Sequence, residues 1–450
     1  MAKIYISFLG TNDYLNCNYY TNDPAIAEPR KVDNIRFVQE ATLKIHCRDW
    51  TDQDRGYIFV TKEACDKNWL NNGQYDRNNE CQKNCSGLKS CIAELNLPFP
   101  VNRIEIPEGT DEKQIWDIFE KVFECINFGD EIIFGITHAF RSIPMLAIVI
   151  LNYAKVLKNV NLIGIYYGAF EALGLPWKVK DIPISDRNVR ILDLTAFDQL
   201  LDWSLAVDRF LGAGDAQAIS LLAKRTVAPV LKKAKGKNQD AVAVKYIADA
   251  LDTYAKNLAT CRGLDITKSV IHLREELEKG KNTDLVKPLH PLFEHIEAQV
   301  RPYNGTVVGD GIQAAKWCLE HNLIQQGYTI LQETLITHFT IKAGEDYLDE
   351  NMRNIVGRAA SICKIIEKDE QEWDGDAGSY PDITRKFITI LTENDSLKNA
   401  FSALSELRND LNHAGIRKQP KKWNIFLKSL DELIEMVQGE IGNPSATDKL

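Results

Sequence analysis

Hydrophobic positions follow two different rhythms along this 450-residue chain. Up to about residue 190, short apolar runs alternate with helical periods. Lys3–Leu9 is a β-rich run that ends in Gly10-Thr11-Asn12, and residues 57–60 form a shorter candidate. Residues 101–106 alternate and stop at Pro107, while Glu131–Gly135 and residues 161–167 are two more apolar strands. Between them, residues 111–126 place Ile115, Ile118, Phe119, Val122 and Phe123 at helical spacing, behind an acidic start that suits the helix dipole. Residues 144–157 predict a second helix with proline in its first turn. Asn-rich residues 68–84 read as a loop or insertion. Strands separated by helices of this length imply βαβ units and a parallel-rich sheet of Rossmann-like type.

Beyond about residue 195 the pattern is helical throughout. Apolar periods run over residues 197–211, 241–258, 268–277, 311–322, 325–343, 354–367, 396–413 and 422–438. Gly212 and Gly214, Pro288 and Pro291, the Pro302–Gly305 stretch and residues 374–381 separate them. The expected organisation is an α/β domain over 1–190, then an all-α region with accessory helices over 191–305 and a helical core over 306–450. The basic stretch 224–237 reads as a solvated helix end and linker.

Charge and composition narrow the classes. The chain carries 54 Lys and Arg against 63 Asp and Glu, a formal charge of −9. That excludes a broad basic coat for nucleic acid, because such binding rests on many Lys/Arg–phosphate contacts, but it leaves room for a small local site. No apolar run reaches the ~18–20 residues of a membrane span. The N-terminus reads as a first strand and not a signal peptide, so a cytoplasmic protein without membrane association is expected. The ten cysteines then read as free thiols. Cys81, Cys85 and Cys91, with Cys65 upstream, lack the tight pairs of zinc ribbons and fingers, and no metal is expected.

Two loops of the first half carry ligand chemistry. In an open α/β sheet, ligands sit beyond the C-terminal strand ends, where the strand order reverses. Gly10 permits close backbone approach, and Thr11 and Asn12 offer donors. After the strand at Gly135 come Thr137, His138, Arg141 and Ser142: a hydroxyl, a ring N–H, a guanidinium that can fork onto phosphate, and a hydroxyl before a helix N-terminus. This set suits an anion or nucleotide. A glycine-rich dinucleotide fingerprint and a P-loop are both missing, which disfavours an oxidoreductase or NTPase.

In the second half, His413 is the only one of eight histidines with arginine five residues upstream, Arg408. Two readings stand. One is a polar helix face ending in a histidine that suits the dipole. The other is metal-free phosphodiester cleavage of RNA, with His413 as acid or base and Arg408 against the charge on phosphorane oxygens. Five residues turn a helix by about 500°, which leaves the two side chains about 140° apart. One helix therefore hardly converges both on one phosphate, whereas two facing helices across a twofold axis can. Residues 401–422 hold five Lys and Arg against Glu406 and Asp410, a local charge of +3.

Taken together, residues Ile6 to Thr11, Ile136 to Pro144, Gly164 to Glu171, Asp193-Leu-Thr195, Gln326-Gly-Tyr328 with Glu333, and Arg408 to His413 resemble CRISPR-associated CARF–HEPN ribonucleases, ancillary effectors of type III systems. The resemblance covers nearly the whole chain. One motif departs: the family's D-x-T-H-G is here Gly135-Ile-Thr-His-Ala139, which loses a carboxylate and adds a methyl. The resemblance implies a CARF domain that dimerises and binds a cyclic oligoadenylate, with cyclic tetra-adenylate the expected activator. It also implies HEPN domains whose paired motifs cut single-stranded RNA without metal or other cofactor, in a homodimer or higher homo-oligomer. Arg408 and His413 are then catalytic, supported by Asn412 and Asn409. Gly10, Thr11, Asn12, Thr137, His138, Arg141 and Ser142 belong to the messenger site. A ligand-controlled regulator that binds RNA or DNA without cutting is the alternative, and a HEPN nuclease answering to a partner protein is a third reading.

Overall fold

Strand β1 (Lys3–Leu9) is buried on both faces, as a central parallel strand must be. Its side chains alternate. Ile4, Ile6 and Phe8 enter one core with Phe59, Phe134 and Ile150, while Tyr5 and Leu9 enter another with Phe37, Leu43 and Val60. Each of the large aliphatic and aromatic side chains contributes about 1.5–3 kcal/mol on full burial. The computed structural model describes residues 2–22, 30–75, 82–137, 143–281, 289–363, 370–416 and 418–442.

Seven more strands complete the sheet: β2 (Cys17–Tyr20), β3 (Lys31–Ile35), β4 (Arg55–Val60), β5 (Val101–Glu105), β6 (Glu131–Gly135), β7 (Asn161–Gly168) and β8 (Asn188–Asp193). Their order is β3-β2-β8-β7-β6-β1-β4-β5. All pairings are parallel except β2 with β3 and β7 with β8. From β1 the chain runs outward through β4 and β5 on one side, and returns on the other through β6 and β7. The loops after β1 and β6 therefore flank the point where the order reverses.

Helices cover both faces. Glu112–Glu124 is capped by the Asp111 carboxylate, which accepts from the Gln114 amide at 2.9 Å. Ile143–Lys158 follows β6. Helix Val38–His46 carries buried Gln39 and Glu40 among its apolar residues. The Gln39 amide nitrogen donates to the Phe8 carbonyl at 2.7 Å, while its Oε1 is buried with no partner among the described residues.

The chain divides into two compact units, Met1–Gln199 and Leu200–Leu450. The second is helical, from the end of Thr195–Ala213 to Trp423–Ile441. One continuous core runs through it from Trp203 to Val437. Gln217–Lys233 is a helix, so the basic stretch 224–237 is its C-terminal end and the turn that follows. Glycine sets one close approach: a Cβ on Gly327 would stand 2.7 Å from Leu430, so helix Ile324–Lys342 packs tightly on Trp423–Ile441 there. Next to it, buried Tyr328 donates to the Phe426 carbonyl at 2.9 Å. Among the described residues no helix is long and apolar enough to cross a membrane.

Candidate functional site

The loop that leaves β1 is built rather than loose. Asn68, fully buried on a single π-helical turn (Cys65–Trp69), donates its side-chain amide to the carbonyls of Gly10 at 2.8 Å and Asn12 at 2.9 Å. Gln74, also buried, donates to Thr11 O at 3.3 Å, Asn12 O at 3.4 Å and Asn68 Oδ1 at 2.9 Å. Three successive carbonyls thus turn toward one pair of amides. In a planar trans peptide the following N–H points the opposite way. The amides of Thr11, Asn12 and Asp13 therefore point away from Asn68 and Gln74, and none has an acceptor among the described residues. Amides without an acceptor among the described residues are available to an anion. The Gly10 amide is spent, donating to the Tyr14 hydroxyl at 2.9 Å.

Cations gather at the same loop. Asp13 is gripped by Lys83 and by Lys180 at 3.3 Å, with Arg36 at 3.8 Å. Burial acts to raise the Asp13 carboxyl, but the hydrogen bonds and charges of Lys83 and Lys180 outweigh it and hold the group below its usual range. Arg36 is nearly buried and fixes the loop, donating to Tyr14 O at 3.2 Å and Ser86 O at 2.7 Å. Lys83 and Lys180 are partly exposed. Three cations against one carboxylate leave an excess of positive charge beside the free amides.

From the neighbouring strand, Thr137 Oγ1 accepts from the Gly168 amide at 2.8 Å, which ties the loop after β6 to the end of β7. Its own hydroxyl proton remains available to donate. The missing acid of the motif has a steric explanation. A Cβ at Gly135 would stand 2.9 Å from both the Tyr5 hydroxyl and Ser7 Oγ, so Tyr5 fills the room a carboxylate would need. Burial pushes the Tyr5 phenol well up, with hydrogen bonds to Ser7 and Thr42 opposing it, so Tyr5 stays a neutral hydroxyl. His138, Arg141 and Ser142 lie outside the described residues, as does Cys81.

In the helical unit, Asp395–Asn412 starts with Asn394 accepting from the Leu397 amide at 3.0 Å. It buries Leu397, Ala400, Phe401, Leu404 and Leu407 along one stripe. Helix Ile324–Lys342 runs antiparallel to it: Gln325 meets Asn412, Gln332 meets Ser405 and Arg408, and Phe339 meets Phe401. Arg408 lies on the seam. Its Nη1 donates to Gln332 Oε1 at 3.1 Å and Glu333 Oε1 at 3.3 Å. The other Glu333 oxygen accepts from Arg353 Nη2 at 2.7 Å. One carboxylate is thus shared by two guanidiniums. Arg408 Nε is buried with no hydrogen-bond partner among the described residues.

His413 caps the helix and is exposed. Ala414 and Gly415 follow at positive φ, and the Gly415 amide returns to Asp410 O at 3.0 Å. The buried Asp410 side chain accepts from the Lys421 amide at 3.0 Å and holds the next segment against the helix. Asn412 accepts from Gln325 at 3.3 Å, and the Asn409 carbonyl takes the His413 amide at 3.1 Å. The structure thus brings Arg408 together with Glu333, and Asn412 with Gln325. It gives no hydrogen bond between Arg408 and His413.

Sequence reasoning missed Asn68, Gln74, Lys83, Lys180 and Arg36 as parts of the first site, and Arg353 as part of the second. Asn68, Gln74 and Lys83 sat in the stretch read as a loop. Their one signal is polar residues buried in an otherwise polar segment, and that appears only in three dimensions.

No family model matches the chain. A CRISPR-associated protein of Methanocaldococcus jannaschii, MJ1674, is 25% identical over 328 residues, 71% of this chain. A single stretch of that length exceeds either compact unit and so reaches into both. The chain spans 43% of that relative's length. Among solved structures, Enterococcus italicus Csm6 bound to cyclic hexa-2'-fluoro-hexa-dAMP aligns over 99% of this chain and 96% of its own, at 14% identity and a TM-score of 0.39. The name of that relative, a CRISPR-associated protein, agrees with the resemblance carried by the motifs of this chain.

Proposed function

We propose that the protein is a cytoplasmic endoribonuclease switched on by a cyclic oligoadenylate, and that it cuts single-stranded RNA without metal at a site two copies of the chain build together. The observation that carries this reading is the Arg408–His413 pair: an exposed histidine at a helix end and a guanidinium held one turn before it by Glu333. His413 takes the proton of the RNA 2′-hydroxyl or returns one to the leaving oxygen. Arg408 offsets charge growing on the phosphate oxygens. Its buried, unpartnered Nε supports a resting arrangement, because an unsatisfied donor costs roughly 1–3 kcal/mol until it finds an acceptor. With no hydrogen bond between Arg408 and His413 in one chain, a second copy supplies the convergence.

At the sheet edge, the Thr11, Asn12 and Asp13 amides and Lys83 and Lys180 receive messenger phosphates, with Thr137 as a further donor and His138, Arg141 and Ser142 as expected neighbours. The ring acts by binding the active arrangement more tightly than the resting one. Cyclic tetra-adenylate is the expected ring.

The test is cleavage of labelled single-stranded RNA in EDTA, with and without cyclic tetra- or hexa-adenylate. Cutting only with a ring supports the proposal. No cutting under any condition removes the nuclease, and equal cutting without a ring removes the switch.

A further inference from the structure

The carboxylate that holds Arg408 also lines a cavity of about 360 Å³. Its walls come from four segments: Cys261 and Arg262 with the first residues of helix Gly263–Gly280, the start of helix Val307–Glu320, the Ile330–Thr337 face of helix Ile324–Lys342, and Tyr347, Leu348 and Arg353. The cavity has an apolar lining from Leu264, Val307 and Ile330, and an aromatic ring from Tyr347. Glu333 supplies an acceptor, and its side chain remains 43% exposed despite its two arginine partners. Arg262 at the rim is exposed and makes no ion pair with a described residue. Cys261 lines the cavity too. Burial pushes its thiol up, and the charges of Arg408 and Arg262 oppose that.

Position along the helices relates this cavity to His413. Gln325 pairs with Asn412, the neighbour of His413, and Glu333 lies eight residues further along the same helix, about 12 Å at 1.5 Å per residue. Arg408 stands between. A group bound in the cavity therefore flanks the reacting phosphate and does not contain it.

We propose that this cavity is a substrate subsite that receives one nucleotide of the RNA beside the cut, and so gives the nuclease a base preference. The inference rests on the nuclease reading above. Single-stranded RNA is recognised by splayed bases that stack on aromatic or guanidinium planes and hydrogen-bond along their edges. Tyr347 and the apolar lining suit the base face. Glu333 accepts from base N–H groups, which favours bases that present donors to it. Arg262 suits the adjoining phosphate. The volume lies at the small end for ligand pockets: it holds a nucleoside and is too small for a ring of adenylates, so substrate is its occupant and messenger is not.

The experiment uses the full chain with activating ring, in EDTA. The substrates are oligonucleotides with a single cleavable ribonucleotide in a 2′-deoxy strand, the flanking bases varied one position at a time. Wild type is expected to favour particular bases at one flanking position by about tenfold. Arg262→Ala should raise KM about tenfold with kcat within twofold, the loss expected for one charge-assisted contact. Leu264→Trp, which fills the cavity, should flatten the base profile. Because Arg262 is exposed, its variant reports even if Leu264→Trp fails to fold. If wild type cuts while both variants, folded, keep its KM and base profile, the subsite is overturned. If wild type cuts none of the strands with either ring, the nuclease reading fails, and the subsite with it.

Discussion

The two candidate sites are made in opposite ways. At the sheet edge, buried Asn68 and Gln74 fix the Gly10–Asn12 carbonyls and Arg36 anchors the following turn, so the amides of the proposed messenger site are held in place by the chain itself. At the helix end, His413 is exposed and Arg408 is engaged elsewhere. A preorganised site loses little entropy on binding and suits capture of a scarce messenger. An open, incomplete site suits an activity that must stay silent until the parts are brought together. Charge does not separate them: the net charge of −9 disfavours extended RNA binding, while both sites carry local cation excess.

Four changes test that division, in falling order of effect. His413→Ala should lower ring-activated cleavage by ~10³-fold or more, the range of a lost general acid–base, with ring affinity and melting temperature unchanged. A parallel fall in ring affinity would blur the two sites into one. Asn68→Ala should destabilise the protein by about 1–3 kcal/mol, because it strips a buried donor from the part-buried Gly10 and Asn12 carbonyls. It should also weaken ring binding more than tenfold, as read by denaturant titration and by binding isotherms. Lys180→Ala should leave stability nearly unchanged, as partly exposed ion pairs are worth little, yet reduce ring affinity several-fold and lessen its salt dependence. Unchanged affinity would remove Lys180 from the site.

The smallest effect is a pH dependence. Asp13 has a lowered folded-state pKa, so its contribution to stability is fully present above the unfolded carboxylate value and is lost as pH falls through the folded one. The melting-temperature gap between wild type and Asp13→Asn should therefore be largest near neutral pH and close on acidification. A gap that widens toward acid has the wrong sign for this account.

Much of the central sheet was legible from sequence. β1 and β6 coincide with the apolar runs at Lys3–Leu9 and Glu131–Gly135, because strands buried on both faces read as continuous hydrophobic stretches. The edge strand β3, Lys-Val-Asp-Asn-Ile, buries only Val32 and Ile35 and left no such signal. Helix Val38–His46 was hidden by its buried Gln39 and Glu40, which break the apolar period. Pro381–Thr392 was concealed by a proline that begins the helix and does not break it. The candidate residues that sequence offered stand just after a strand, as Gly10 and Thr137 do, or in a short motif at a helix end, as Arg408 and His413 do. Lys83 and Lys180 converge on Asp13 from 70 and 167 residues away, and no local pattern announces that.

The most direct test of the whole account records ring binding and RNA cleavage together in EDTA, over a titration of cyclic tetra-adenylate, for wild type and Lys180→Ala. Cleavage should rise in step with ring occupancy, and Lys180→Ala should shift the half-point to higher concentration while reaching the same plateau. Cleavage that ignores ring occupancy, or a lowered plateau at an unmoved half-point, would contradict it.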